Sequence, residues 1–165
     1  MKPYNTMQIT LLTHSRELVK TTGTGPIVKK VLSDKCHIIE WQRKIPDKIF
    51  ASLDPLKTAL VYPIKETAKW PISELTDAQL PNIEHFVILD GTWQEAQKMY
   101  HRSPYLHGLP HYAIRSQHRS EYQLRRNQKS VGLCTAEVVI EILRSKKCTE
   151  LASLLHQRFT AFNQF

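Results

Sequence analysis

The segment Asp90-Gly91-Thr92-Trp93 carries the clearest chemical signal in this sequence. It follows an apolar run, and an Asp-Gly step before a capping threonine predicts a tight strand-to-helix turn with outward-facing backbone N–H groups. Those groups can hold a ligand carboxylate or hydroxyl, and the aspartate can accept a proton or bind a cation. Helix capping alone explains Thr92, and a place in the core would explain Trp93. Turn formation does not require a carboxylate, so Asp90 is the first candidate catalytic residue, with Trp93 beside it.

The glycine-containing segment Thr22-Gly23-Thr24-Gly25-Pro26 is a second candidate site. Two glycines before a helix would let a phosphate or cofactor approach the backbone closely. The segment matches neither a Walker nor a GxGxxG motif, so a plain turn is the simpler interpretation. His14 and Glu17, which follow the first predicted strand, are equally ambiguous, because a histidine at a strand end is more often structural than catalytic.

The cysteines and the apolar runs indicate a reduced, cytoplasmic protein. Cys36, Cys134 and Cys148 are scattered and odd in number, so they form neither a disulfide framework nor a CxxC pair. No spacing of histidine, cysteine or carboxylate side chains fits a zinc site, and no GxSxG or Cys/His pattern indicates a nucleophilic hydrolase. The apolar runs are shorter than the roughly 20 residues of a membrane helix, and the N-terminus has no secretory-signal pattern. We therefore expect neither a metal nor a membrane association.

Positive charge is concentrated in one stretch of the chain. The 165 residues carry 23 Lys and Arg against 15 Asp and Glu, which gives a net charge of +8. Seven of the basic residues lie between Lys98 and Lys129 with Glu121 as the single acidic residue, and four tyrosines and four histidines are interleaved with them. Because basic side chains bind phosphates and planar side chains stack on bases, this stretch predicts a nucleic-acid surface rather than only a solvated basic face. The candidate RNA-binding residues are Lys98, Arg102, Arg115, Arg119, Arg125 and Arg126.

Short β-branched runs alternate with helical patterns, which predicts an α/β fold: a mainly parallel sheet flanked by helices, in one domain over residues 1–165. Strands are predicted at 7–12, 36–41, 58–62, 85–89 and, more weakly, 112–114. Helices are predicted at 92–102, 135–146, about 150–163, and after Gly25 with Pro26 at the first position. The helix at 92–102 has a Thr92/Glu95 capping box and an apolar face that includes Trp93. The C-terminal helix at about 150–163 is predicted to pack Leu154 among its apolar residues. Because ligands bind beyond the carboxyl ends of parallel strands, the residues after each strand should meet at one edge.

Six segments carry a resemblance to a known family: 11–17 (LLTHSRE), 22–25 (TGTG), 87–99 (VILDGTWQEAQKM), 103–106 (SPYL), 122–126 (YQLRR) and 134–137 (CTAE). In this order, over most of the chain, they resemble the DTW-domain family of tRNA-uridine aminocarboxypropyltransferases. The resemblance implies transfer of the 3-amino-3-carboxypropyl group of S-adenosylmethionine (SAM) to N3 of a tRNA uridine, with release of 5′-methylthioadenosine. It also implies a SPOUT-like fold whose C-terminal half forms a trefoil knot that holds SAM.

The chain departs from the family pattern at three points. Many relatives begin with a cysteine cluster suited to zinc, which this chain lacks. Gly23 stands where an asparagine is common, and Pro26 stands where a basic residue is common. The first difference removes a metal-bound accessory element, and the other two concern a side-chain contact near the cofactor. None of them affects Asp90 or Trp93.

The strand ends and the resemblance together assign candidate roles. Asp90 would remove the uridine N3 proton or hold the SAM ammonium, and an apolar wall would shield the SAM methyl group and adenine. The candidate SAM-binding residues are Thr24, Gly25, Trp41, Leu60, Tyr62, Pro63, Leu89, Gly91, Thr92, Gly132 and Thr135. No metal is expected in this reaction, and tRNA is the expected partner, with no obligate protein partner evident.

Two other functions fit the same sequence features. A SPOUT-like methyltransferase acting on tRNA or rRNA would share the fold and cofactor, and would release S-adenosylhomocysteine instead of methylthioadenosine. A non-catalytic RNA-binding module would use the basic stretch and would not bind SAM.

Overall fold

A computed structural model of the protein describes residues 7–43, 46–63, 72–114 and 133–164. Within these ranges, five parallel strands form one sheet in the order β2-β1-β4-β3-β5. The strands are β1 (Gln8–Thr13), β2 (Cys36–Glu40), β3 (Thr58–Val61), β4 (His85–Asp90) and β5 (His111–Tyr112). The helices are α1 (Ser15–Leu18), α2 (Gly25–Leu32), α3 (Trp93–His101), α4 (Thr135–Ser145) and α5 (Thr149–Asn163). The predicted α/β fold, a parallel sheet flanked by helices, is confirmed.

Helices cover both faces of the sheet, and strand β4 contributes to both of the resulting cores. Phe86 and Ile88 pack into one core with residues of α2, α4 and α5, whereas Val87 and Leu89 pack into a second core with residues of α3. Successive side chains of a strand point to opposite faces. Asp90 therefore continues the row of Phe86 and Ile88, and its carboxylate points toward α2 and α4.

The starts of the helices follow the sequence signals closely. The predicted capping box is confirmed, because the Thr92 hydroxyl accepts a hydrogen bond from Glu95 N (3.1 Å) and Glu95 Oε1 accepts one from Thr92 N (2.9 Å). Helix α2 begins at Gly25, so Pro26 occupies its second position and not the predicted first. A proline at either position leaves no intrahelical hydrogen bond unmade.

Two apolar residues predicted to be packed are substantially exposed. Trp93 has a relative exposure of 45%, because it is the first residue of α3 and lies at the carboxyl edge of the sheet, beyond the part of the helix that packs on the core. Leu154 has a relative exposure of 40%, because the buried row of α5 is formed by Ala152, Leu155 and Phe159. Residues three and four apart share a helix face, and Leu154 is turned away from that row.

Two further sequence predictions concern a trefoil knot in the C-terminal half and the absence of a membrane helix. Residues 115–132 lie outside the described ranges, so the trefoil knot implied for this half of the chain stays a prediction. In the part of the chain that the structure describes, no helix has the length and apolar character needed to cross a membrane.

A buried lysine at the end of α4 ties this helix to the chain that enters β4. Lys146 Nζ donates hydrogen bonds to the carbonyls of Leu80 (3.1 Å), Pro81 (3.1 Å) and Ile83 (2.8 Å). Burial of the ammonium lowers its pKa, and the three carbonyls replace the water that it has lost. One end of α4 is thereby fixed to the start of β4, which leaves its other end next to the carboxyl end of that strand.

Candidate active site

The candidate site lies at the carboxyl edge of the sheet, which we call the rim. Parallel register places Thr13 of β1 beside Asp90 of β4, and Trp41 N donates a hydrogen bond to the Thr13 carbonyl (2.8 Å). The ends of β1, β2 and β4 therefore coincide. The rim comprises Thr13, His14, Thr24, Gly25, Trp41, Tyr62, Pro63, Thr135 and residues 90–95.

The carboxylate of Asp90 connects three elements of the rim. Its side chain is buried, with 3% relative exposure. Oδ1 accepts a hydrogen bond from the Thr135 hydroxyl (2.7 Å) at the start of α4, and Oδ2 accepts one from the Thr13 hydroxyl (3.2 Å) at the end of β1. Asp90 thus joins β1, β4 and α4 through side-chain hydrogen bonds.

The glycine-containing segment packs directly on this carboxylate. A methyl group added at Gly25 would lie 2.8 Å from Asp90 Oδ2, well inside van der Waals contact. The neighbouring Thr24 hydroxyl accepts a hydrogen bond from Ala136 N (3.0 Å), which ties the start of α2 to the start of α4. Because Gly25 has no side chain, the Asp90 carboxylate can lie close to the backbone at the start of α2.

Burial controls the ionisation of Asp90. Loss of hydration raises its pKa to about 6, while the hydrogen bonds from Thr135 and Thr13 act in the opposite direction by stabilising the charged form. The carboxylate therefore takes up a proton at a much higher pH than an exposed aspartate does.

An aromatic cluster lies on the other face of the sheet, below the rim. Tyr62 stacks on Tyr100 (centroids 4.4 Å apart) and on Trp93 (5.6 Å), so its ring is held between two others. Its hydroxyl is buried and has no hydrogen-bond partner among the described residues. Burial, followed by the neighbouring Tyr100, raises the pKa of Tyr62 to about 12, so the hydroxyl remains a neutral donor.

Between these two parts of the rim lies a histidine–carboxylate pair. His14 Nδ1 lies 3.5 Å from Glu95 Oε2, and the imidazole stacks on Trp41 with the centroids 6.0 Å apart. Burial alone would raise the pKa of Glu95, but the hydrogen bond from Thr92 N and the charges of His14 and Lys20 outweigh it and lower the pKa. Glu95 is therefore an ionised carboxylate facing the histidine.

The sequence interpretation missed this pair. It treated His14 as ambiguous and Glu95 as part of a helix cap. Adjacent parallel strands bring the residues that follow them together, so the pairing of β1 with β4 is the signal that would have placed His14 next to the Asp90 turn.

The predicted SAM-binding residues divide between the two faces of the sheet. The group near Asp90 consists of Thr24, Gly25 and Thr135, whereas Leu60, Tyr62 and Leu89 belong to the core beneath α3, with Trp41 packed against it. Leu60 has 0% relative exposure, so a ligand would reach it only if its packing opened. Trp41 and Gly91 are half-buried, Thr92 and Pro63 are exposed, and Gly132 lies outside the described residues.

Two of the six candidate RNA-binding residues fall within the described ranges. Lys98 is exposed on α3, and Arg102 is exposed directly after it. The remaining four, Arg115, Arg119, Arg125 and Arg126, lie outside the described residues. Within those ranges, no group of three or more histidine, cysteine or carboxylate side chains is arranged to hold a metal ion.

Comparison with known proteins places the chain in a family. The DTW domain family model matches residues 1–165, and the chain belongs to this family. A tRNA-uridine aminocarboxypropyltransferase 2 of Drosophila melanogaster is 28% identical over 141 residues, which cover 82% of this chain and 55% of that relative. The chain thus spans about half the length of this relative. No solved structure matches the chain significantly.

We predict that Gly25→Ala destabilises the protein. The new methyl group would collide with Asp90 Oδ2, and overpacking of this kind costs about 1–3 kcal/mol of unfolding free energy. Helix propensity alone would favour alanine by up to about 1 kcal/mol, so the expected sign is opposite to that of a simple helix effect. Denaturant unfolding measures the difference. Gly108→Ala is the matched control, because a methyl group there meets nothing within 4 Å. A Gly25→Ala protein as stable as the parent would contradict the packing described here.

We predict that Asp90→Asn changes the pH dependence of stability. Asp90 titrates at about 6 in the folded protein and near 3.9 in the unfolded chain. The native state therefore binds more protons between these values, and its unfolding free energy falls as pH rises from about 4 to about 6, by up to about 3 kcal/mol. Asparagine does not titrate, so the variant lacks this fall. Denaturant unfolding curves from pH 4 to pH 8 measure this fall in unfolding free energy. Parallel pH profiles for the parent and Asp90→Asn would rule out a raised pKa of Asp90.

Proposed function

We propose that this protein transfers the 3-amino-3-carboxypropyl group of SAM to N3 of a uridine in tRNA, in the cytoplasm, with release of 5′-methylthioadenosine. The observation that carries the proposal is the Asp90-Gly91-Thr92-Trp93 element at the carboxyl end of β4, in a chain that belongs to the DTW family. The similarity to a relative named as a tRNA-uridine aminocarboxypropyltransferase supports the choice of reaction.

The rim has features that suit SAM. The Tyr62 hydroxyl, which has no hydrogen-bond partner among the described residues, could donate a hydrogen bond to a nitrogen or carboxylate of the ligand if the packing around it opened. The half-buried Trp41 and the exposed Trp93 offer flat surfaces for adenine. SAM supplies an activated sulfonium, so attack at its Cγ releases a neutral thioether and needs no metal. The residues named would hold the ligand and keep the methyl group out of line with the nucleophile.

Asp90 fits a positioning role better than a direct one. Both of its oxygens already accept hydrogen bonds, and its side chain is almost completely buried. By fixing Thr135 and the start of α4 against β1, it holds in place the elements from which a substrate would be bound. Trp93, in contrast, is exposed at the rim, and the substrate base can stack on it.

The decisive experiment incubates the protein with SAM and tRNA from a strain that lacks the modification. We expect 3-(3-amino-3-carboxypropyl)uridine in nucleoside digests, together with one methylthioadenosine per modified base, because Cγ and not the methyl group is transferred. Mass spectrometry of both products measures this. Formation of S-adenosylhomocysteine with a methylated base would establish the methyltransferase alternative instead. SAM binding without either product, or no SAM binding by calorimetry, would contradict the proposal.

We predict that a double variant, Lys98→Ala with Arg102→Ala, weakens tRNA binding. Both side chains are exposed, Lys98 in the last turn of α3 and Arg102 directly after it. Each cation that contacts a phosphate releases close to one counterion on binding, so each lost contact lowers the number released by about one. The slope of log K against log salt should therefore flatten by about 1.5–2, while SAM affinity stays within a factor of about two, because exposed charges are screened by salt. Filter binding or fluorescence anisotropy at several salt concentrations measures the slope.

The matched control is Lys30→Ala with Lys147→Ala, which removes the same charge from exposed positions on the opposite, α2–α4–α5 side. An unchanged slope in the α3 variant, or an equal change in the control, would mean that α3 does not contact the tRNA backbone.

A further inference from the structure

Among the described residues of the rim, the pair His14 and Glu95 is the one group that combines a titratable nitrogen with access to solvent. The His14 side chain is 18% exposed, whereas Asp90 is 3% exposed and already accepts two hydrogen bonds. His14 N donates to the Asp90 carbonyl (2.9 Å), so the imidazole is attached directly beside the Asp-Gly turn. A base that acts on a substrate must reach it, and His14 meets this condition better than Asp90 does.

The surroundings of the ring hold it in a defined orientation. One face of the imidazole stacks on Trp41, with an interplanar angle of 19°, and Trp41 is itself fixed by a hydrogen bond from its Nε1 to Ser103 Oγ (2.7 Å). The Nδ1 edge faces Glu95 Oε2 at 3.5 Å, while Glu95 Oε1 is engaged by Thr92 N. No described residue forms a hydrogen bond with Nε2 of His14.

We propose that His14 is the catalytic base that accepts the N3 proton of the uridine at Nε2, while Glu95 holds a proton on Nδ1; this inference rests on the proposed function. As N3 bonds to Cγ of the donor, the N3 proton moves to Nε2 and the electron pair of the breaking Cγ–S bond remains on sulfur. The imidazolium that forms carries one proton on each nitrogen. The Glu95 carboxylate faces the Nδ1 proton and stabilises that charge, and Glu95 is thus a positioning residue.

Two tautomers of neutral His14 compete at Nδ1. This nitrogen lies 3.2 Å from Arg16 N, which can donate to it when Nδ1 is unprotonated, and 3.5 Å from Glu95 Oε2, which can accept from it when it carries the proton. Only the second tautomer leaves the lone pair on Nε2 free to take a proton. The charged groups on the elements around the ring are Arg16, Glu17 and Lys20 near α1, Glu40 on β2, Asp90 on β4 and Glu95 on α3.

The tautomer is measured in the free protein, without substrate, from the ¹⁵N chemical shifts of the neutral His14 ring. We expect the proton on Nδ1 in the parent protein and a shift of the population toward Nε2–H in Glu95→Gln. Glutamine still caps Thr92 N, so the helix start is retained. A parent protein with the proton on Nε2 would overturn the proposal, because that nitrogen then has no lone pair to offer.

The kinetic test uses His14→Asn. Asparagine is a good N-cap and can accept the hydrogen bond that Arg16 N donates to the tautomer of His14 with an unprotonated Nδ1, but it cannot take up a proton. We expect the single-turnover rate at neutral pH to fall by about 10²-fold, with an unchanged melting temperature and unchanged SAM and tRNA affinities. The single-turnover rate of Glu95→Gln, which keeps the imidazole, should fall less, by about tenfold. His37→Asn is the control, because His37 is exposed near the amino end of β2, at the opposite edge of the sheet.

Substrate acidity separates a base from a structural histidine. In tRNA that contains 5-fluorouridine, the fluorine withdraws electrons and N3 loses its proton without help more readily. The defect of His14→Asn should therefore shrink on this substrate, and its rate on ordinary tRNA should rise about tenfold per pH unit until N3 ionises. An equal defect on both substrates and at every pH would overturn the proposal, as would parent-like rates in the variant. If the parent protein forms no aminocarboxypropyluridine on either substrate, the proposed function fails, and this inference fails with it.

Discussion

The buried carboxylate of Asp90 is the constraint on which the rim depends. Placing an aspartate at 3% exposure is costly unless its oxygens are satisfied, and here each oxygen accepts a hydroxyl hydrogen bond from a different element. The geometry then leaves no room for a side chain at residue 25. One charge thereby fixes the ends of β1 and β4 and the starts of α2 and α4 relative to one another, and Lys146 fixes the far end of α4 to the segment that enters β4.

Alternation along β4 separates two tasks at the rim. Asp90 faces α2 and α4, where it organises the backbone, while Leu89 and the stacked rings of Tyr62, Tyr100 and Trp93 lie on the α3 face. His14 and Glu95 lie between them, where β1 ends and α3 begins. Under the proposed function, a planar substrate base and a proton acceptor would meet at this edge, where the strands end. Residues 90–93 thus contribute a side chain to each face of the sheet, with Asp90 on the α2–α4 face and Trp93 on the α3 face.

Helix α3 connects the rim to two exposed basic residues, Lys98 and Arg102. It begins with Trp93 at the rim, its nine residues span about 13 Å, and Lys98 and Arg102 lie toward and just past its far end. Under the proposed function, phosphates of a bound RNA could contact these two cations while a base stacks on Trp93.

The sequence by itself determined the α/β class, the parallel sheet, the capping box at Thr92 and the place of Asp90 at the end of a buried strand, because these features depend on local periodicity and on the residues that flank each element. Only the tertiary structure decided that Asp90 is enclosed by Thr13, Thr135 and Gly25, and that His14 faces Glu95. These contacts join residues 45 to 81 positions apart along the chain, and their existence depends on the strand order β2-β1-β4-β3-β5. Local patterns contain no information about which strands become neighbours, since that order is set by the packing of the whole chain.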